Sequence, residues 1–492
     1  MPASTHPSPF HRVTAASLLA ACCLLRASTS ANAAEAVAQA AVTADQSGEG
    51  QPRASAPGTK SAAPEPAPAK SPAKGEPQPG PGVEEITVGG SSVTDAVDQA
   101  RFSESVVDVL SAKDFAVTGD SGVVDALARV TGITTVGDKY VYVRGLGERY
   151  SSTLFNGALL PSPDPVRRVV PLDLFPSTVM QQLSVQKTWA PYLPADFAGG
   201  SVQLGTREVP SKREARLSFS SAYNTNATGN TQDWYKGSGS DWTGYDGGYR
   251  DLPRAIDLLA SGLAEDRKAA GLALNRSFDL ERKAADPDFK LKGSWGDQWT
   301  TRAGDVGLMF GGQADNSWKH VREKRAVSSS DPYDPIFEDI DEDRTTNSIL
   351  YSGLAAAEWK PREAQVLKAT LFYTHNTDKR LLNEKVVGGD NDESLRYLRS
   401  EWEEQALVTS QLKGTHTISQ LHDLGLDWGL TYSQATRDAP DSRFYMYEIF
   451  PDTGREVFSN DVSNERTWES LTDNAWDAFL QAQEPLKISD DI

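Results

Sequence analysis

An Asn-Gly pair set between two apolar runs, in Leu154-Phe155-Asn156-Gly157-Ala158-Leu159-Leu160, constrains this chain more than any other feature. Both residues tolerate positive φ, which a type I′ turn requires at its two central positions, so the stretch predicts a tight β-hairpin. Just upstream, Tyr140 to Val143 is β-branched and aromatic and reads as a short buried strand running into Arg144-Gly145. Leu183 to Lys187 alternates as another strand, and Gly199-Gly200 supplies a bend into a third at Ser201 to Leu204. Thr178 to Gln181 reads as one helical turn capped by Ser177. Asp120-Ser121 caps a helix whose apolar stripe is Val124, Leu127 and Ala128, with Gly132 stopping it. Strands and helix together predict a small α/β domain.

The run VRGLGERYSSTLFNGALLPSPDPVRRVVPLDLFPS, followed by DFAGGSVQLGTR, resembles the plug domain of TonB-dependent outer-membrane receptors. The likeness covers roughly residues 83 to 207. It implies an α/β plug lodged in a 22-stranded antiparallel transmembrane β-barrel. It also implies import of a scarce nutrient, such as a siderophore, cobalamin or an oligosaccharide, driven by a TonB-type energy transducer of the inner membrane. No cofactor is implied. Val83-Glu84-Glu85-Ile86-Thr87-Val88 stands where the family carries its TonB box, with Glu84, Glu85, Ile86, Thr87 and Val88 as the strand a partner would take up by β-augmentation. The family's plug arginine pairs with barrel carboxylates, which makes Arg144, with Glu148 and Arg149 beside it, the candidate latch. A second arginine expected before the Gly-Gly bend is missing from Ala190 to Asp196, so Arg149 or Arg168 would have to replace it. A charge at the end of a buried strand is costly unless paired, so a salt bridge of structural value alone is the competing reading of Arg144.

The segments before the plug follow from composition. His11-Arg12, the apolar run Val13 to Leu25 and Ala31-Asn32-Ala33 make residues 1–33 a signal peptide. Leu19-Ala20-Ala21-Cys22 also resembles a lipoprotein cleavage box. Both cysteines, Cys22 and Cys23, lie in this leader, which excludes disulfides and Cys-based zinc sites from the remainder. Residues 34–82 are rich in Pro, Ala, Lys and Ser, with too few large apolar side chains to offset chain entropy, and read as a linker. The TonB box is placed at 83–90, the plug at 91–208 and the first part of a barrel at 213–492.

From Arg213 onward the apolar period becomes two. Ala215, Leu217, Phe219, Ser221 and Tyr223 face one way; so do Tyr351 to Trp359, Leu367 to Tyr373 and Leu424 to Tyr432, each taken at alternate positions. Aromatics at strand ends (Trp359, Tyr373, Tyr432) suit an interfacial girdle against outer-membrane lipid. About eight strands of about ten residues are expected. That is too few for the family barrel, and the chain reads as a fragment or truncated product whose strands would not close. Residues 224–288, 331–343, 378–401 and 438–463 are expected as polar outer loops. The first should hold a helix beginning at Pro253, with Ile256, Leu259 and Leu263 on one face. Its Trp234, Tyr235, Trp242, Tyr245 and Tyr249 are candidate contacts for a small-molecule or oligosaccharide ligand.

A formal net charge of −19 argues against nucleic acid as a partner. Gly145-Leu146-Gly147 lacks the third glycine of a phosphate cradle, and the six histidines lack metal-ligand spacing. No nucleophile elbow is present, so the chain reads as non-enzymatic, with neither catalytic nor metal residues. The competing class is a secreted binding module or adhesin.

Overall fold

The computed structural model describes residues 106–118, 122–137, 139–191, 193–194, 197–256, 263–275, 280–328, 336–388, 393–450, 452–459 and 464–484. The expected leader and linker, and Glu84 to Val88 of the expected TonB box, lie outside them. Two sheets dominate, and they share one core.

The smaller sheet belongs to the plug region. Its strands are β1 (Val107–Ser111), β4 (Ser151–Phe155), β5 (Ala158–Leu159), β6 (Met180–Gln186) and β7 (Gly200–Thr206), in the order β1-β6-β7-β4-β5. Only β4 and β7 run parallel. The Asn-Gly turn forms as expected: Asn156 has φ 48° and Gly157 φ 89°, and Leu154 and Phe155 face Leu159 and Ala158 across it. A two-stranded ribbon, β2 (Ile133–Val136) with β3 (Tyr140–Val143), lies beside the sheet. Helices α1 (Ala112–Thr118) and α2 (Val123–Leu127) are short; Val123, Val124, Ala126 and Leu127 of α2 are buried, and Gly132 turns the chain at φ 74°. The Asp125 carboxylate accepts from the Gly122 N–H at the start of α2 (3.2 Å). The turn at Ser177 is a 3₁₀ turn, Ser177–Val179, preceded by Pro176 and without the serine cap. Gly200 needs its missing side chain, because a Cβ there would stand 2.8 Å from Val143 Cγ1 and 3.2 Å from the Gln186 carbonyl.

The larger sheet is antiparallel throughout. Its long strands are β8 (Glu214–Ala222), β11 (Asp288–Thr301), β12 (Gly304–Ser328), β13 (Ile336–Arg362), β14 (Gln365–Gly388), β15 (Glu393–Ile418), β16 (Leu424–Phe450) and β18 (Glu465–Gln483), with the short β17 (Arg455–Phe458) also on β16. Eight long strands agree with the count from periodicity, but their length does not. Those from β12 to β16 run 24 to 27 residues, so 336–343, 378–388, 393–401 and 438–450 are strand rather than loop. Charge on both faces hides the alternation there, and ion pairs across strands hold it: Arg325 reaches Glu342 (3.2 Å) and Glu384 (2.9 Å), and Arg396 reaches Glu456 (2.6 Å). Among the described residues β8 lies at one edge and β18 and the short β17, both on β16, lie at the other, and the sheet is not closed into a barrel.

Register separates the two faces of this sheet, because cross-strand partners and alternate residues share a face. Met309, Leu354, Phe372, Leu407 and Ala435 point into the plug and join its core. The Phe372 ring lies 5.1 Å from Phe155 and 5.5 Å from Phe175, stacked on the latter. The opposite face carries Leu217, Phe219, Leu291, Trp295, Phe310, Trp359, Leu412, Leu430, Trp476 and Leu480, all exposed. These include the side chains whose period of two marks the strands in the sequence.

The described residues between 224 and 288 form a lobe rather than an open loop. It contains the hairpin β9 (Thr231–Tyr235) with β10 (Leu280–Ala284), and a helix α3 at Ala264–Ala273. Of the helix expected from Pro253, the described residues 253–256 make a turn, with Ile256 N donating to Pro253 O (2.9 Å), and Leu259 lies outside the described residues. An Ala-, Glu- and Lys-containing stretch with Glu265 and Asp266 in its first turn favours helix by propensity and dipole, without an apolar stripe to announce it.

Candidate functional site

Where the plug meets the distal half of the inner sheet face, charged side chains converge. Lys139, just before β3, places Nζ 3.5 Å from Asp173 Oδ2 and 3.4 Å from Asp378 Oδ2 of β14. Ser348 Oγ donates to the other oxygen of Asp378 (2.6 Å). Arg380 pairs with Glu401 (3.0 Å), and Arg437 bridges Glu403 (2.9 Å) and Glu469 (2.6 Å). Together with Arg399, these wall residues border a cleft of about 270 Å³. Burial pushes the Asp173 carboxyl up to about 6; Lys139 opposes that shift and the nearby Asp378 adds to it. Burial also works against the charge on Lys139, yet Asp173 and Asp378 overcome it and hold the ammonium above the usual lysine range. The plug side of this region is the Pro-rich ribbon at 161–168. Its Asp164 accepts from Tyr140 Oη (2.5 Å), Arg167 stacks over the Tyr140 ring, and Ser162 N donates to Asp473 of β18 (3.2 Å). Val166 at its tip is 88% exposed.

The latch residues expected from the sequence lie elsewhere. Arg144 is not a charge at a buried strand end: it stands exposed, in a left-handed turn at φ 56°, with its backbone N–H on Gly132 O (2.8 Å). The chain turns away immediately after Val143, so the side chain leaves the core instead of entering it. Arg149 is exposed against the Tyr150 ring, and Glu148 belongs to the 3₁₀ turn Glu148–Tyr150. Arg168 is exposed as well. The cation that joins plug to sheet here is Lys139. Nothing in the sequence singled it out, and its partner Asp378 fell in a segment that read as loop.

Nearer the short turns, two sheet lysines reach plug acceptors. Lys413 Nζ donates to Asn156 O in the hairpin turn, and Lys368 pairs with Glu208 (2.8 Å) at the plug's exit. These contacts tie the plug at a second level of the wall.

The five aromatic residues expected to contact ligand belong to the lobe, which packs on the opposite face of the sheet from the plug. Trp234 is buried against Trp318 and Leu381, in a core of the lobe's own. Tyr235 Oη donates to Glu401 O (2.6 Å). Tyr245 stacks on His375, and its hydroxyl lies 3.1 Å from that of Tyr373. Tyr249 lies near Arg250, and Trp242 points outward. Phe372 and Thr377 are five residues apart in an unbroken register, so the outer-face contacts of Thr377 (Oγ1 to Gly244 O, 2.6 Å) fix the lobe on the side away from the plug.

Arg250 clamps the lobe. Its guanidinium bridges Asp241 (2.8 and 3.0 Å) and Asp246, with its centre 4.2 Å from the Trp402 ring. Lys379 joins at Asp241 (2.8 Å), and Trp468 Nε1 donates to Arg250 O (2.8 Å). Burial alone would raise the Asp241 pKa, but Arg250 and Lys379 hold it well below the usual carboxylate range.

Among the described residues no group of His, Cys, Asp and Glu is arranged to hold a metal ion, and no helix is long and apolar enough to cross a membrane.

A family model described as TonB-dependent Receptor Plug Domain matches residues 99–202. No curated protein matches the chain. Among solved structures it is similar to BauA, the ferric preacinetobactin receptor from Acinetobacter baumannii, at 13% identity; 78% of this chain and 56% of that one are covered, with a TM-score of 0.37. It is similar to the ferric citrate transporter FecA in the unliganded form at 13% identity, covering 79% and 55%, with a TM-score of 0.34. It is also similar to the copper transporter OprC at 11% identity, covering 76% and 52%, with a TM-score of 0.31. The chain spans about half the length of each of these proteins.

Proposed function

We propose, for a chain whose residues 99–202 are a TonB-dependent receptor plug domain, that it serves as an outer-membrane receptor for TonB-driven uptake of a scarce small nutrient. Metal chelates, cobalamin and oligosaccharides are the ligand classes in view, and the role is non-enzymatic. One observation carries the reading. The large sheet closes one face on the plug and turns an exposed apolar and aromatic row outward on its other face. A soluble sheet would have to bury that second face under another layer. A lipid-facing strand presents it instead, with aromatics at the rims.

In this reading the signal peptide directs export, and Glu84 to Val88 offer the strand that the inner-membrane transducer engages. Ligand is caught between the exposed tip of the plug ribbon and the charged wall of Arg380, Arg399, Glu401, Glu403 and Arg437. Lys139, rather than Arg144, Glu148 or Arg149, holds the plug against Asp378 until force is applied.

Alkaline carbonate extraction of cells expressing the chain tests the placement. Retention in the outer-membrane fraction is expected, and release of the full chain as soluble protein would sink it. The tether has its own test. Where uptake is measurable, Ile86→Pro removes a backbone donor and forbids pairing at that position, so TonB-dependent uptake should stop while ligand binding persists. Uptake unaffected by that change would place the box elsewhere.

A further inference from the structure

We infer that the 224–288 lobe is a membrane-interface collar, seated on the outer face of the sheet with Trp242 in the headgroup boundary of the surrounding outer leaflet. The inference rests on the reading that the sheet spans a membrane, and it gives the lobe a lipid partner in place of a nutrient.

Height places it there. On β14 the outward side chains Leu367, Ala369, Leu371 and Tyr373 precede the covered ones, which begin at His375 under Tyr245. From Leu367 to His375 is about 27 Å along the strand at roughly 3.4 Å per residue. A tilt of about 35–45° reduces this to about 19–22 Å, against an apolar band about 25 Å tall. The lower edge of the lobe therefore meets the far rim of the hydrocarbon instead of standing clear in solvent.

The rim is continuous with the lobe. Tyr373 is the outward side chain just before the covered stretch that begins at His375, and Tyr245 shares a hydrogen bond with it, so the aromatic row of the strands passes directly into the aromatic row of the lobe. Trp242 is held rigidly. The residue before it, Asp241, is fixed by Arg250 and Lys379, and Gly244 after it accepts through its carbonyl from Thr377 Oγ1. Between these two anchors the indole is 74% exposed. Tyr245, Tyr249 and Leu252, in the same stretch of chain, are exposed as well. Trp and Tyr, with an apolar ring and one polar atom, partition to this depth of a bilayer.

Spin labelling of the whole chain in phospholipid vesicles tests the inference, with Cys22→Ser and Cys23→Ser so that no native thiol competes. Labels are placed by W242C on the lobe, F219C on the outward row of β8 and V166C on the plug ribbon. The W242C label should shift toward the oxygen-accessible, nickel-excluded values of F219C and away from the aqueous values of V166C. An F219C label in lipid with a W242C label in water overturns the collar and leaves the receptor reading standing. Both labels in water, or a chain that does not float with vesicles, overturns the receptor reading and the collar with it.

Discussion

Phe372 joins two parts of the molecule with one ring, because its strand belongs to the large sheet while its contacts, Phe155 and Phe175, belong to the plug. Phe372→Ala leaves a cavity in that shared core and should cost about 3–5 kcal/mol. Urea unfolding followed by protease accessibility of the plug reads the loss; an unchanged midpoint would mean the plug is not seated there. Asp173 makes a pH-dependent contribution of definite sign. With a folded pKa of about 6, above the ordinary carboxylate value, it binds a proton that the unfolded chain releases between about pH 4 and 6. Its contribution to stability is full below about pH 4 and falls by about 3 kcal/mol as the pH rises through 6. Asp173→Asn should flatten that part of the stability profile, and an identical slope in the variant would refute the assignment. Arg250 is a third residue of consequence. Arg250→Ala would strand the buried Asp246 carboxylate and leave Asp241 with Lys379 alone, at a cost of about 3–5 kcal/mol. Hydrogen exchange across 224–288 should then rise selectively, while exchange in the plug stays as it was.

At the scale of elements, sequence signals differ in how far they reach. The Asn156-Gly157 hairpin and the strand at Tyr140 to Val143 were legible, because each is decided by local φ preference or β-branching, whereas α2 ends at Leu127, five residues before the expected stop at Gly132. Gly157→Val tests the first: a β-branched side chain at φ 89° is strained, so the β4–β5 hairpin should loosen by about 1–3 kcal/mol. Hydrogen exchange at Phe155 and Ala158 would report it. The period of two fixed the strands only where one face is apolar. Past Thr377 the outward face packs on the lobe and the inward face carries Asp378 and Arg380, so neither face reads as a core and the strand passes for loop. A charge following a buried strand reads as trapped, whereas a single left-handed residue carries it into solvent. The aromatic residues of the lobe stand out in the sequence, but the face they pack on is a property of register that no local pattern contains.

At the scale of the whole molecule, the organising fact is a sheet with two unlike faces. The inner face is continuous with the plug core, and the outer face is divided between the exposed apolar row and the lobe. In hydrocarbon an unpaired backbone group costs several kcal/mol, so the edges β8 and β18 require strand partners wherever this sheet spans a membrane. The face assignment is the central claim, and two adjacent residues on β12 decide it. Thr178 Oγ1 of the plug donates to Gln313 Oε1 (2.9 Å), whereas Ala314 is on the opposite face beside Leu291 and Tyr351. Treatment with a short thiol cross-linker, in a background lacking Cys22 and Cys23, should join the T178C/Q313C pair efficiently and leave the T178C/A314C pair unjoined. Equal cross-linking of both pairs, or preference for position 314, would contradict a plug seated on the inner face of this sheet.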